Sequence, residues 1–206
     1  MTKHILRFIL ASFTGLFLSL TAQADDIDFF AEINATHQES TSIRMDFRQS
    51  SVSQLFKKPL ISTGRITLQR PGKLRWEYTT PAQSGFILDG ATGIQWSSVG
   101  TAISLKTTPL SPVLQVIGQQ MLLWLSADKE QLSNDFTVDV KNGQCVLTPL
   151  NPVMQEYIHT ITLSLEKGQG FIQNIVVQEP SGNTTQISLA HPEVNPVLDS
   201  TVFTAP

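Results

Sequence analysis

The sequence predicts a mainly β protein in which one large antiparallel sheet curls and a few α-helices cover its buried face. Hydrophobic and polar residues alternate in many short stretches between residues 43 and 190, as is typical of strands with one buried face. Turn signals such as Asp89–Gly90 and Asn142–Gly143 separate these stretches and favour hairpins. Two segments, residues 26–40 and 113–125, have helical patterns instead. Because a curled sheet must bury its inner face, these helices are the available covers.

Residues 1–24 have the layout of a secretory signal peptide. Lys3 and Arg7 give a basic start, an apolar run follows, and small residues stand before a cut after Ala24. A transmembrane helix is the alternative. However, polar residues interrupt the run, which is near the lower limit for a span of about 20 residues. We therefore expect a cleaved signal peptide, export, and a single domain over residues 25–206.

Composition limits the partners of the exported chain. Removal of residues 1–24 leaves 12 basic and 17 acidic side chains, a net charge of −5 with histidine neutral. This balance argues against a nucleic-acid partner, which normally requires a basic face. The only cysteine is Cys145, so no intramolecular disulfide can form, and we expect a small buried side chain there.

The predicted elements follow in chain order. Acidic residues at the start of residues 26–40 favour a helix, because they offset the helix dipole and cap free N–H groups. Strands are predicted over residues 43–49, 62–70, 74–78, 85–88 and 94–96. After the central helix, strands resume over residues 136–140, 144–148, 157–165, 171–178 and 184–190. The proline-rich end of the chain is expected to be a loosely ordered strand or tail.

The central helix, residues 113–125, carries apolar side chains on more than one face. Ser111–Pro112 is a typical helix start, and Gly118 could divide the helix into two pieces. A surface helix normally has one apolar stripe. This helix must therefore be covered on both sides, or contact something apolar other than its own sheet.

No motif in the sequence predicts catalysis. A nucleophile elbow, a P-loop, a dinucleotide-binding glycine pattern and an H-E-x-x-H pair are all lacking. His37, His159 and His191 share no spacing typical of metal ligands. We expect no catalytic residue, no metal and no cofactor, although distant carboxylates brought together by folding would escape this reading.

Arg70 and the three tryptophans are the residues most open to a functional interpretation. Arg70 continues the face that holds Ile66 and Leu68, so an ideal strand would point it inward, where its five donors could bind carbonyl groups of a covering helix. A strand end that frays would instead let Arg70 reach solvent. Each tryptophan is either part of the core or a ligand contact.

Several short motifs follow one another in a recognisable order. They are Phe47–Arg48–Gln49, Gly64–Arg65–Ile66–Thr67–Leu68, Arg70–Pro71–Gly72–Lys73–Leu74–Arg75–Trp76, Pro81, Leu88–Asp89–Gly90 and Ile94–Gln95–Trp96. This progression resembles the outer-membrane lipoprotein carrier protein (LolA) family. Its members share F-x-Q, G-x-[apolar]-x-[apolar], R-P-x-x-[apolar]-x-W, P and D-G-x-x-[apolar]-W in the same order. The resemblance is specific over residues 47–96 and looser afterwards.

The resemblance implies a periplasmic carrier with a defined architecture. The fold would be an incomplete, unclosed antiparallel β-barrel of about eleven strands, with α-helices that form a lid over an apolar cavity. The carrier would accept acylated lipoproteins from an inner-membrane exporter and pass them to an outer-membrane acceptor. The arginine of the R-P motif, which helps to hold the lid closed, corresponds to Arg70.

We expect inner-face and central-helix residues to line the cargo cavity. They are Phe47, Ile66, Leu68, Leu74, Trp76, Phe86, Trp96, Val113, Ile117, Met121 and Trp124. Residues 115–124 depart from the family pattern, and residues 55–64 resemble a divergent branch associated with export of other lipids. The cargo is therefore either an acylated lipoprotein or another lipid, such as a glycolipid.

Two other functions stay open at the level of the sequence. A sensor or accessory protein on the same scaffold would bind a lipid or a protein and never deliver it, because one fold hosts several functions. An enzyme acting on envelope lipids is supported only by unassigned Asp, Glu and Ser residues. We expect a monomer, because a protein that hands over its cargo needs a free rim.

Overall fold

The computed structural model describes residues 29–36, 38, 40–54, 58–90, 92–98, 108–110, 118–123, 128–165 and 170–204. The strands in this part of the chain are β1 (Ser42–Val52), β2 (Leu60–Gln69), β3 (Lys73–Thr80), β4 (Ser84–Asp89), β5 (Thr92–Ser97), β6 (Thr108–Pro109), β7 (Phe136–Lys141), β8 (Gln144–Pro149), β9 (Thr160–Leu165), β10 (Ile172–Gln178) and β11 (Thr184–Val194). The helices are α1 (residues 29–36), α2 (residues 118–123), α3 (Lys129–Asp135) and α4 (Pro152–Gln155).

All eleven strands form one antiparallel sheet in the order β6-β5-β4-β3-β2-β1-β11-β10-β9-β8-β7. β1 lies in the middle and pairs with both β2 and β11, so the two halves of the chain meet there. β6 and β7 are the two edges and do not pair with each other. The prediction of an unclosed antiparallel barrel of about eleven strands with a few helices is confirmed.

The two hairpin signals adopt the backbone that tight turns require. Gly90 has φ 61°, and Asn142 and Gly143 have φ 54° and 72°, which is the left-handed region favoured by asparagine and glycine. These turns fix the register of β4 against β5 and of β7 against β8. Register matters because a shift of one residue would exchange the two faces of a strand.

The inner face of the sheet and the helices bury one continuous hydrophobic core. From α1, Phe29, Phe30 and Ile33 are buried in it, in agreement with the predicted first helix. Cys145 on β8 is fully buried in the same core, as expected. None of the helices in the described ranges is long and apolar enough to cross a membrane.

Two short helices, α3 and α4, were not predicted, although each begins with a capping side chain. The Asp128 side chain accepts a hydrogen bond from the backbone N–H of Gln131 at the start of α3. Asn151 does the same for Val153 at the start of α4, and proline follows it. These are standard helix-start signals, but helices of seven and four residues are too short for periodicity to reveal.

The end of the chain is more structured than the sequence predicts. β11 continues to Val194, and residues 202–204 lie on the outer face of β3. Arg75 holds them there: its Nη1 donates to the carbonyl oxygens of Val202 at 3.1 Å and Thr204 at 2.9 Å. The same guanidinium lies 4.8 Å from the ring centroid of Trp96. One arginine fork thus joins the tail to the sheet.

We expect Arg75→Met to lower the free energy of unfolding by about 1–2 kcal/mol, because the two hydrogen bonds to the tail, the ion pair with Glu77 and the cation–π contact with Trp96 are lost. Urea unfolding measures this change, and amide exchange at Val202 reports release of the tail. Arg65→Met is the matched control: it removes only an exposed ion pair to Asp46, and should cost less than about 0.5 kcal/mol. Equal effects of the two substitutions would contradict the role given to Arg75.

Candidate functional site

The inner faces of β1 to β4 form a continuous apolar floor. Leu68 pairs with Leu74, and Ile66 pairs with Trp76, which pairs in turn with Phe86 on β4. All of these side chains, and Phe47 on β1, are buried. The Trp76 ring lies 5.0 Å from that of Phe47 and 6.0 Å from that of Phe86, so aromatic packing fixes the middle of the floor.

A cavity of about 680 Å³ lies between this floor, the inner faces of β9 to β11, and helices α2 and α4. Of the predicted cavity residues, Trp76, Phe86 and Met121 line it. Phe47, Ile66, Leu68 and Leu74 lie deeper, in the core beneath it. The rest of the apolar lining, which was not predicted, is Tyr78, Val153, Met154, Tyr157, Ile158, Ile161, Ile175, Val177, Pro180 and Ile187. Most of it belongs to the second half of the chain.

Helix α2 packs on the floor through its glycine. A Cβ atom at Gly118 would lie 3.2 Å from a methyl group of Leu88, 3.3 Å from the Phe86 ring and 3.5 Å from a methyl group of Leu74. Met121, on the same helix, is 1% exposed and lines the cavity. The predicted contact between the central helix and the sheet is therefore present in residues 118–123. Val113, Ile117 and Trp124 lie outside the described residues.

Tyr78 is a half-buried ionisable group that lines the cavity. Its hydroxyl donates a 2.9 Å hydrogen bond to Gln49 Oε1. Burial raises the pKa of Tyr78 from 10.0 to about 12, and the polar contact with the Trp76 indole N–H acts in the opposite direction. The neutral phenol is the form that this apolar setting stabilises.

This shift makes the fold sensitive to high pH. The unfolded chain releases the Tyr78 proton near pH 10 and the folded chain near pH 12, so the contribution of Tyr78 is intact below pH 10 and is lost between these values. Between pH 10 and pH 12 we expect the free energy of unfolding, measured with urea, to fall by about 2 kcal/mol more in the wild type than in Tyr78→Phe. In Tyr157→Phe, Tyr78 is the only tyrosine, and its absorbance should titrate near pH 12. Identical pH profiles for wild type and Tyr78→Phe would contradict this assignment.

The prediction that Trp96 lines the cavity is wrong. Trp96 pairs with Gly85 and lies on the outer face, where it is 3% exposed beneath Arg75. The sequence misleads here because β4 reads Gly-Phe-Ile-Leu, which is apolar on both faces. Alternation therefore could not show that Phe86 faces the cavity while Ile87, like Trp96, faces outward.

Of the two orientations that the sequence leaves open for Arg70, the structure has the exposed one. β2 ends at Gln69, and Arg70 begins the turn into β3 with an exposed side chain. Its backbone N–H donates to the carbonyl oxygen of Thr41, and its side chain forms no hydrogen bond or ion pair within the described ranges. The alternation that points Ile66 and Leu68 inward stops one residue too early to include it. A lid-closing role for Arg70 stays a prediction from the resemblance.

The polar side chains that line the site are fewer than the apolar ones. Within the part of the chain that the structure describes, no three His, Cys, Asp or Glu side chains come close enough to hold a metal ion. The polar side chains that line the cavity include Glu156, Glu179 and Ser181, on the turns next to α4 and β10. What the arrangement offers is apolar surface with a polar rim.

Comparison with known proteins identifies the family. Residues 38–206 match the family described as "Outer membrane lipoprotein carrier protein LolA". The chain belongs to this family. It is similar to outer-membrane lipoprotein carrier proteins from Pseudomonas fluorescens, at 24% identity over 90% of this chain and 87% of that protein, and from Dechloromonas aromatica, at 25% identity over 98% and 94%.

The fold has parallels among solved structures. An uncharacterized conserved protein from Thermus thermophilus superposes with a TM-score of 0.50 at 8% identity, over 88% of this chain and 94% of that protein.

The LolA family is a family of carriers and not of enzymes, and its members are periplasmic, which agrees with the predicted signal peptide. Residues 1–24 lie outside the described residues.

Proposed function

We propose that this protein carries acylated cargo, a lipoprotein or a related lipid, across the periplasm, with the acyl chains in the cavity. The observation that carries this proposal is the space of about 680 Å³ between the sheet and helices α2 and α4, whose lining is mostly apolar. Each methylene group that moves from water into such a space contributes about 0.8 kcal/mol. Membership of a family of lipoprotein carriers supports the same reading.

The edge of the cavity supports entry and release of an acyl chain. α4 and the turn after it carry Val153 and Tyr157, which line the cavity and are 65% and 58% exposed. Exposed apolar side chains that continue an apolar cavity give a hydrocarbon chain a path along which it never fully meets water. We place the mouth of the cavity at this edge.

A carrier must also release what it binds. Met121 and Gly118 of α2 pack against the floor and the cavity in this structure. Cargo that enters must displace these contacts, and the free energy needed to break them is subtracted from the free energy of cargo binding. Net binding then stays moderate, and transfer from an inner-membrane exporter to an outer-membrane acceptor needs no energy source at the carrier.

A transfer assay distinguishes a carrier from a sensor. Donor vesicles that contain a fluorescent triacylated peptide are mixed with acceptor vesicles, with and without the protein. We expect transfer to rise in proportion to protein concentration. Binding that removes the peptide from the donor vesicles and never delivers it would favour the sensor, and no binding at all would contradict carriage.

A further inference from the structure

Two polar atoms in the wall of the cavity have no hydrogen-bond partner. They are Trp76 Nε1 on β3 and Gln120 Oε1 on α2, and both are sealed from solvent within the described structure. Both residues line the cavity, and they are 2% and 8% exposed. Buried polar atoms are nearly always paired, so two unpaired atoms in one cavity call for an explanation.

The other polar atoms of the same two residues and their neighbours are paired. Tyr78 donates to Gln49, and Gln49 Nε2 donates to Ser51 Oγ at 3.1 Å. Gln120 Nε2 reaches Asp135 Oδ2 at 3.5 Å. The Trp76 indole N–H contacts the Tyr78 hydroxyl and lowers its pKa, but this contact lies outside the geometry of a hydrogen bond. What remains is one donor, from the sheet, and one acceptor, from α2.

The chemistry of this pair narrows the class of cargo. A hydrocarbon satisfies neither atom, and an ester carbonyl satisfies only the donor, because an ester has no N–H. A secondary amide offers both a carbonyl oxygen and an N–H group. An amide that bonds to both atoms removes both desolvation penalties at once.

We propose that the cavity binds the amide linkage of an N-acylated cargo. The carbonyl oxygen accepts from Trp76 Nε1–H, and the amide N–H donates to Gln120 Oε1. This inference rests on the proposed function, because it assumes that acyl chains enter the cavity. Since both atoms are covered in this structure, the linkage reaches them as α2, which carries Gln120, shifts on the floor.

The test uses three neutral probes with similar chain lengths: undecane, methyl decanoate and N-methyldecanamide. Binding to the purified protein is compared for wild type, Trp76→Phe and Gln120→Met. Trp76→Phe removes the indole N–H and one ring, and Gln120→Met removes Oε1 together with the Nε2 that reaches Asp135. Each affinity is therefore taken relative to that of undecane, which forms no hydrogen bond and reports the change in cavity shape. On this scale we expect Trp76→Phe to weaken the ester and the amide by about fivefold to tenfold. Gln120→Met should weaken the amide alone by a similar factor.

Each other outcome has a definite meaning. If none of the probes binds, the proposed function itself fails. If all three probes bind and each substitution changes the three affinities equally, the proposed carrier function is retained but the polar site is overturned. If Gln120→Met has no effect on the amide while Trp76→Phe weakens both carbonyl probes, the assignment to an amide is overturned in favour of an ester.

A spectroscopic readout on the wild-type protein covers the case in which a variant folds poorly. The indole N–H resonance of Trp76 should move downfield with N-methyldecanamide and not with undecane, because a hydrogen bond deshields the proton. Trp96, on the outer face, is an internal control whose resonance should not move. A Trp76 resonance that responds equally to both probes would overturn the proposal.

Discussion

Val177→Glu should reduce acyl binding by at least about a hundredfold. Val177 lies on the inner face of β10, next to Ile161 and Thr185 in the sheet, and lines the cavity. In the empty protein, water at the open edge can solvate the new carboxylate. An acyl chain would remove that water, and burying an unpaired charge costs several kcal/mol. Titration with a fluorescent fatty-acyl probe measures the loss.

Val176→Glu is the matched control, because it is the same substitution one position earlier. Val176 points to the opposite face of β10 and does not line the cavity. We expect its acyl affinity to stay within about twofold of wild type. If both variants lose binding equally, the cavity described above is not where the acyl chain binds. Circular dichroism of both proteins shows that the sheet is retained.

Gly64→Ala should lower the free energy of unfolding by about 3 kcal/mol or more. A Cβ atom at this position would collide with the backbone carbonyl oxygen of Glu77 and lie 2.7 Å from the Phe47 ring. Because the first of these is backbone, no change of side-chain rotamer relieves it, and β2 would have to move away from β3. Urea unfolding gives the change.

Gly90→Ala separates this packing effect from the general cost of replacing glycine. Gly90 has φ 61°, and an added Cβ atom would meet no atom within 4 Å. Its replacement should therefore cost only about 1 kcal/mol, from the left-handed backbone. If Gly64→Ala lowers the free energy of unfolding no more than Gly90→Ala does, β2 and β3 are farther apart at Gly64 than described here.

The strands were predictable because their two faces differ in polarity. β1 and β3 alternate strictly, so Phe47, Leu74 and Trp76 could be assigned to the inner face from the sequence. In β4 both faces are apolar, and Ile87 on the outer face is buried beside Arg75, which holds the tail. Alternation says nothing in that situation, which is why Trp96 was assigned to the wrong face.

The cavity was only partly predictable, because it depends on which strands become neighbours. β1 pairs with β11 across more than a hundred residues of sequence, and this pairing brings Ile187 and Ile175 opposite the predicted floor. No local sequence pattern shows which distant strands will pair. The motifs that resemble the LolA family lie in residues 47–96, so they indicate only the first half of the site.

Fluorescence quenching tests most directly whether an acyl chain lies against the inner face of the sheet near Trp76. Two variants each keep one tryptophan: Trp96→Phe with Trp124→Phe leaves Trp76, and Trp76→Phe with Trp124→Phe leaves Trp96. A bromine atom on an acyl chain quenches a tryptophan only at close range. We predict that a brominated fatty-acyl peptide quenches Trp76 strongly and leaves Trp96 unchanged. Quenching of Trp96 with Trp76 unaffected would place the acyl chain on the other face of the sheet and contradict binding in the cavity.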